Sequence, residues 1–545
     1  MPHTRRVDNP AIADQLDAFA SLLELADANP YTARAYRRAA ATIRGVAVPV
    51  ADLVRSGRVR ELRGIGPGIE ARLRELVETG QIAELEELER ELAPDLIGLG
   101  RFLGLGAKRS LDLARALDVR TADELREAAA AGRLRSVPGI GPKTEARLLE
   151  ALDREPDKRT ARGLLINRAW ELVGGIAAAL GGEVAGDPRR WRDSCERLAV
   201  VCAADDPAPL LARFIELPQI VALVDQSDGR ALGVTVDGVP VELCVASPAA
   251  FGSALLRATG SSEYVAALGD VPDAPDEHGA YRLLGIPWCP PELREQPFAG
   301  TPPPLLEPGD IRGDLHCHST WSDGRASVGE MGRAARERGY EYLAICDHTP
   351  AVGAVRGLTP DDVRRQAEEV AAANEELAPF RVLRGIECDI LPDGRLDLPD
   401  DVLAELDWVQ ASVHGGQRRP RTELTKRVEE ALRNPHVRCL SHPKGRLINH
   451  RPENALDLER TFELALEQGV ALEVNGLPDR LDLSGEHVRD ALRAGVKIVC
   501  STDAHSTRGL GNMSLSVATA RRGWATAEDV LNTRPLAEIL EWRRG

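Results

Sequence analysis

The sequence predicts a multidomain protein: helical domains built on helix-hairpin-helix turns at the N-terminus, an α+β region in the middle and an α/β barrel at the C-terminus. Three observations lead there. A glycine-rich turn recurs between helical stretches at 64–66, 104–106 and 139–141. Apolar strand runs separated by turn residues follow between 198 and 245. Past a proline-rich stretch, strands and helices alternate and six strand ends carry His, Asp or Glu. With 545 residues the chain exceeds what one core accommodates, which suggests three or more domains.

Composition narrows the class. Apolar residues make up 43% and aromatics only 4%, so Leu, Val and Ala must build the cores. A net charge of −16 disfavours indiscriminate coating of nucleic acid but leaves room for a local basic surface. No apolar h-region follows Met1-Pro2-His3-Thr4-Arg5-Arg6, and no run approaches a membrane span, so neither a signal peptide nor a membrane partner is expected. Nine cysteines without a CxxC fit reduced thiols in a cytoplasm.

Ile12, Leu16, Phe19, Leu22 and Leu23 recur at helical spacing, and Asn29-Pro30 ends that helix. In Leu62-Arg63-Gly64-Ile65-Gly66-Pro67-Gly68-Ile69 the glycines let backbone approach a phosphate, and the N–H groups opening the next helix point at it. The pattern returns at Gly104-Leu105-Gly106-Ala107-Lys108 and at Gly139-Ile140-Gly141-Pro142-Lys143. Residues 101–150 hold ten Lys/Arg against seven Asp/Glu, a locally basic stretch in an acidic chain. Gly64, Gly66, Gly104, Gly106, Lys108, Gly139, Gly141 and Lys143 are therefore the candidate contacts to DNA backbone, with protein packing as the alternative use of such turns.

Leu198–Cys202, Ile220–Val224, Gly233–Val236 and Val239–Val245 read as strands with a tight turn at Asp237-Gly238, an α+β unit with an antiparallel sheet. Here the order of parts resembles bacterial family X DNA polymerases with an appended PHP (polymerase and histidinol phosphatase) domain. The local carriers are Arg34-Ala35-Tyr36-Arg37-Arg38-Ala39-Ala40, the hairpins, Gly186-Asp187-Pro188-Arg189-Arg190, Phe251-Gly252-Ser253-Ala254-Leu255-Leu256 and Pro290-Pro291-Glu292-Leu293-Arg294. The resemblance implies an eight-kilodalton-like helical domain with a hairpin (1–85), a fingers-like hairpin domain (86–160), a polymerase-like palm (161–256) and a thumb-like segment (257–294). A Pro-rich linker (295–309) and a PHP domain (310–545), a distorted (β/α)7 barrel, complete the order.

The family's palm holds two Mg²⁺ on an Asp-x-Asp and a third Asp on a neighbouring strand. Laid on that pattern, Arg197 and Ala199 fall at the Asp-x-Asp positions and Glu242 at the third. Asp187 replaces a Ser that meets the incoming triphosphate, and Arg257-Ala258-Thr259-Gly260-Ser261 lacks the thumb's aromatic pair. The palm is thus expected to persist as a scaffold with a degenerate polymerase site. No Lys precedes Lys108, and Arg72 stands where a Schiff-base Lys would serve a deoxyribose-phosphate lyase, so that activity is expected to be absent too.

In Gly313-Asp314-Leu315-His316-Cys317-His318, the two histidines share one face of a strand. With Asp323, His348, Glu387, His414, His442, Asp503 and His505 they match the ligand complement of the PHP family position for position. The resemblance implies three divalent ions: one on His316, His318, Glu387 and Asp503, a second bridged by Glu387 and held by His414 and His442, and a third on Asp323, His348 and His505. Nitrogen and oxygen donors without thiolate suit Mn²⁺ or Zn²⁺, with Fe²⁺ also compatible; Cys317, Cys346 and Cys388 are read as core. Glu387 and Asp503 are the candidate catalytic carboxylates, and Lys444 and Arg446 are candidates to grip a phosphate oxygen, with a solvated loop as the alternative.

These readings add up to a monomeric, nucleoid-associated DNA-repair phosphoesterase, a 3′→5′ exonuclease acting on 3′ ends in gapped or nicked duplex, in base-excision-type repair. The alternatives are a weak DNA polymerase that also carries the exonuclease, and a phosphomonoesterase with a DNA-binding arm.

Overall fold

A computed structural model describes residues 163–298 and 300–542. Before them it describes the stretches 30–46, 48–62, 64–79, 82–84 and 131–137, with scattered single positions. In this N-terminal part helices Pro30–Gly45, Val50–Arg55 and Pro67–Thr79 are formed. Pro67 opens its helix at a position where its missing N–H costs nothing. Ile69, Leu73 and Leu76 form that helix's buried face, joining one apolar cluster with Ile12, Leu16 and Phe19. Among the described residues no helix is long and apolar enough to cross a membrane.

The middle region opens with strand β1 (Leu164–Leu165) and the amphipathic helix Ile166–Leu180. Strands β2 (Glu183–Gly186), β3 (Ser194–Cys195), β4 (Leu198–Ala203), β5 (Ile220–Ser227), β6 (Arg230–Thr235) and β7 (Pro240–Ala246) follow. The main sheet runs β2-β4-β7-β6-β5. It is mixed, not wholly antiparallel as expected, because β4 and β7 run parallel. Helix Ala208–Ile215 carries the chain across between β4 and β5, and the β5-β6-β7 meander then returns β7 beside β4 in the same direction. Gly186, at φ +74°, sits where an added Cβ would lie 2.3 Å from the Arg197 carbonyl oxygen, so the turn after β2 accepts only glycine.

Helix Phe251–Thr259 crosses the boundary expected at residue 256: Ala254 and Leu255 pack on the sheet, while Leu256 packs with Tyr264, Tyr281 and Leu293 beyond it. The proline-rich stretch that follows is laid on the barrel. Phe298 meets Trp524 edge-on at 4.7 Å, Leu306 is fully buried, and its N–H donates to Ala525 O at 2.8 Å.

The C-terminal strands β8 (Gly313–Cys317), β9 (Tyr342–Ile345), β10 (Arg381–Asp389), β11 (Trp408–Ser412), β12 (Cys439–Leu440), β13 (Ala471–Asn475) and β14 (Ile498–Ser501) form one parallel sheet in sequence order, a nearly closed seven-stranded barrel. Strands buried on both faces explain their almost unbroken apolar runs. One packed layer takes a residue from every strand, from Leu315 through Trp408 to Val499, and Ile539 of the last helix closes its lower end. The seam between β8 and β14 is held by backbone bonds just past β14, Asp503 N to His316 O and His318 N to Ala504 O, each at 2.9 Å, and by side chains. Asn532 Nδ2 donates to Gly313 O and Cys500 O, each at 2.7 Å, and Thr502 Oγ1 donates to Asp314. All nine cysteines are unpaired, and Cys317, Cys346 and Cys388 are buried in the barrel.

Candidate metal centre

The C-terminal ends of the barrel strands converge on one buried cluster. Glu387, at the end of β10, is its hub. Its Oε1 lies 2.8 Å from His442 Nε2 and 3.4 Å from His414 Nε2. Its Oε2 lies 2.9 Å from His348 Nδ1, 3.5 Å from His316 Nε2 and 3.8 Å from His318 Nε2. Asp503 Oδ1 stands 3.0 Å from His318 Nε2, and Asp323 Oδ2 stands 3.2 Å from His505 Nε2.

Three groups of donors are close enough to share an ion: His318, Asp323, His348 and His505; His316, His318 and Asp503; and His348, Glu387 and His414. They overlap the expected three sets without repeating them. His318 joins the outer group, and His348 takes the place expected for His442 beside Glu387 and His414. Two of these residues sit in left-handed backbone, His442 at φ +25° and Asp503 at φ +52°, strain that a packed structure tolerates where it aims a functional side chain.

The donor set fits divalent cations on the evidence of its orphaned atoms. Both carboxylate oxygens of Glu387 are buried without a hydrogen-bond partner, as are Nδ1 of His318, His348 and His442. Buried acceptors left unpaired are costly, and cations among them would remove that cost. Burial acts to raise the Glu387 carboxyl, but His414, His316 and His348 hold it well below the usual range. Burial pushes His318 down to about 3, the neutral form a ligand requires. Burial also acts to lower His505, but Asp323 and Asp503 raise it to about 9.

Around the ligands lies a ring of supporting groups that the sequence did not single out. Glu473 on β13 is fully buried and accepts from His316 Nδ1 at 2.6 Å, Ser441 Oγ at 2.9 Å and His442 N at 2.7 Å. It orients one ligand ring and the backbone of another. Asn475 Nδ2 donates to Asp503 Oδ2 at 2.9 Å, and Asp389 accepts from His414 N at 3.2 Å. The signal for Glu473 was available: a carboxylate inside an otherwise apolar barrel strand must have a buried partner.

Lys444 and Arg446 are the expected residues that the structure does not bring to the centre. Lys444 Nζ is taken up by the carbonyls of Asn454 at 2.8 Å and Leu456 at 3.1 Å, and Arg446 pairs with Asp193 at 2.5 Å. Neither lies on a solvated loop, since Lys444 is buried and Arg446 is held on several sides. The guanidinium that reaches a ligand is that of Arg480, with Nε 4.0 Å from Asp503 Oδ2.

In the middle region Ala199 on β4 lies directly across from Glu242 on β7. Ala199 is buried in an apolar cluster with Ala185, Val201, Ala254 and Leu255, and Glu242 faces Arg230 at 3.7 Å. Arg197 is exposed, and its backbone meets Asp187: its N–H donates to Asp187 Oδ2 and its carbonyl accepts from Asp187 N, each at 2.8 Å. Asp187 also pairs with Arg190, while Arg189 forks onto Glu277 with two bonds of 2.8 Å. In the first hairpin Gly64 has φ +92°, and an added Cβ at Gly64 or Gly66 would meet no atom of the described residues, which leave the turn open to a ligand. Gly104, Gly106, Lys108, Gly139, Gly141 and Lys143 lie outside the described residues.

Comparisons with known proteins match separate parts of the chain. A helix-hairpin-helix domain profile matches residues 7–82, a SAM-like helix-hairpin-helix tandem profile matches 95–154, and a PHP domain profile matches 314–476. Asp503 and His505 lie beyond the last span. The chain is 35% identical over 559 aligned positions to the "DNA polymerase/3′-5′ exonuclease PolX" of Bacillus subtilis (strain 168), across 96% of this chain and 97% of that protein. A "Probable phosphatase" of Acetivibrio thermocellus is 33% identical over 36% of this chain and 81% of its own length. A "Probable phosphatase" of Thermoanaerobacter sp. (strain X514) is 28% identical over 40% of this chain and 89% of its own length.

Proposed function

This chain belongs to the PolX family of family X DNA polymerases carrying a PHP domain, and from that premise we propose that its barrel is a metal-dependent 3′→5′ exonuclease that trims DNA 3′ ends. The observation that carries the reading is the pair of buried, unpartnered Glu387 oxygens ringed by imidazoles. His316, His318, Asp323, His348, Glu387, His414, His442, Asp503 and His505 would hold divalent ions, Mn²⁺ or Zn²⁺ by their donor chemistry, or Fe²⁺. Bound there, such ions supply Lewis-acid stabilisation of a phosphoryl group and an activated water. The protein's own part is to orient the donors: Glu473 fixes the His316 ring, Asn475 the Asp503 carboxylate and Asp389 the backbone of His414. The hairpin domains imply DNA binding, and the accessible Gly64–Gly66 turn suits contact to backbone phosphates of a gapped or nicked duplex.

The polymerase-like half acts as a DNA-holding scaffold without nucleotidyl transfer. Its metal face has alanine and arginine where carboxylates would serve, and the Ala199 position is packed with apolar side chains.

The test uses a 3′-recessed duplex with Mn²⁺. Trimming by the wild type should fall at least about 1,000-fold in His316→Ala, as removal of a metal ligand disables the Lewis acid; undiminished trimming would reject the assignment. Primer extension should yield no templated product. The relatives named phosphatases favour a second reading, hydrolysis of a small monoester. Turnover of a chromogenic monoester in place of a chromogenic diester or an oligonucleotide would select it.

A further inference from the structure

Arg480 belongs to the loop that follows β13, between Asn475 and Leu483. Its side chain is one-fifth exposed, its Nε lies 4.0 Å from Asp503 Oδ2, and its Nη1 is buried with no hydrogen-bond partner. Its charge acts on both Asp503 and Glu387. A guanidinium beside the ligand carboxylates with a buried donor nitrogen still unbonded lacks an acceptor that a ligand could supply. The planar fork of arginine suits the oxygens of a phosphate. Burial and the charges of Arg480 and Arg418 act together to lower Arg451, so these guanidinium groups lie near one another.

The loop carrying Arg480 is braced from the other half of the molecule. Arg446 Nε donates to Arg480 O at 2.8 Å, and its Nη2 donates to Leu481 O and, at 2.5 Å, to Asp193 Oδ2. Asp193 lies in the polymerase-like region just before β3, and its other oxygen accepts from Arg522 Nη1 at 2.7 Å. Leu481, at φ +43°, packs into the apolar cluster of that same region. A continuous set of contacts thus runs from Asp193 through Arg446 to the backbone of Arg480, and from the Arg480 side chain to Asp503.

We propose that Arg480 takes the scissile phosphate of the DNA end, and that Asp193 of the polymerase-like half is a positioning residue for it, acting through Arg446. This deepens, and rests on, the phosphodiesterase reading above. It also gives the polymerase-like half a second role, as the outer wall of the hydrolytic site.

The experiment compares full-length wild type with Arg480→Ala, Arg480→Lys, Asp193→Ala, Asp193→Asn and the Arg480→Ala/Asp193→Ala double variant. Steady-state rates are read on bis-p-nitrophenyl phosphate, a small diester that needs no hairpin contact, and on a 3′-labelled oligonucleotide. Bound metal is counted by elemental analysis, and amide hydrogen exchange is followed over 477–483. Arg480→Ala should lower kcat/KM about 100-fold with metal content unchanged, and Arg480→Lys should recover only part. Asp193→Ala should speed exchange in 477–483 and cost about 10-fold in kcat/KM, with Asp193→Asn milder. The double variant should be no worse than Arg480→Ala alone, because the two act on one interaction. Loss of metal from Arg480→Ala, full activity in that variant, or unchanged exchange in Asp193→Ala would each overturn the proposal. If the wild type hydrolyses only monoesters, the substrate reading falls instead. The bracing is then judged on the exchange data and on the Arg480→Ala effect on the monoester.

Discussion

Glu473 separates what a ligand does from what holds it. It is not among the residues expected to hold an ion, yet it receives His316, Ser441 and the backbone of His442. Glu473→Gln should therefore lower metal affinity roughly 10- to 100-fold while leaving the fold intact. Titrating the variant with Mn²⁺ should restore its hydrolytic rate at higher metal; a rate that stays low at saturation would assign Glu473 a different role. Glu277 makes a pH prediction. Burial acts to raise its carboxyl, but Arg189 and Arg294 outweigh it and bring it down to about 2. A carboxylate depressed on folding stabilises above its unfolded pKa and loses that contribution as pH falls through its folded one. Glu277 should thus contribute on the order of 3 kcal/mol at neutral pH. In urea denaturation, Glu277→Gln should be destabilised at pH 7, with the gap narrowing as pH falls from about 5 toward 2. At this scale the sequence was most legible where a polar residue ends an apolar strand run, as at His316, His442 and Asp503. It was least legible where direction matters. Lys444 and Arg446 follow a ligand in the chain, but carbonyls and Asp193 capture them, while Arg480 reaches Asp503 from a loop whose sequence gives no strand-end signal.

Among the elements, the paired strands β4 and β7 carry the two positions Ala199 and Glu242 side by side. The cross-strand pair Ala199–Glu242 is in register, but the space over Ala199 is taken by helix Phe251–Thr259 through Ala254 and Leu255. Ala199→Asp should not regain metal binding. It should destabilise the protein by about 3 kcal/mol or more, since the new carboxylate is buried without a partner. The midpoint of urea denaturation with and without Mg²⁺ checks this; marked stabilisation of the variant by Mg²⁺ would show that the face still accepts an ion. The strands themselves were legible from their apolar runs, and the barrel from its βα alternation. The parallel pairing of β4 with β7 was not, because a crossover helix and a hairpin can place β7 on either edge, and only packing against helix Ile166–Leu180 and its neighbours decides.

At the level of the whole molecule, the two halves share an interface of charges and apolar contacts. Asp193 lies between Arg446 and Arg522, Glu295 faces Arg522 at 3.6 Å, and Arg521 reaches Glu292 at 2.7 Å. Asn449 Nδ2 also donates to Gly163 O at 2.8 Å. The polymerase-like region and the barrel are thus joined across this boundary, which no local pattern announces because each partner sits hundreds of residues from the other. The barrel seam makes a matching prediction. Asn532→Ala removes the clip between Gly313 and Cys500, and it should lower both the melting temperature and metal occupancy, read by calorimetry and elemental analysis; unchanged occupancy would show that backbone pairing alone closes the barrel.

That seam also orders events in time. Gly313 and Asn532, which it joins, are 219 residues apart. On a ribosome the hairpin domains and the first two histidines emerge long before Asp503, His505 and the asparagine that locks β8 against β14. The hairpin domains are therefore synthesised well before the last of the proposed metal donors, Asp503 and His505.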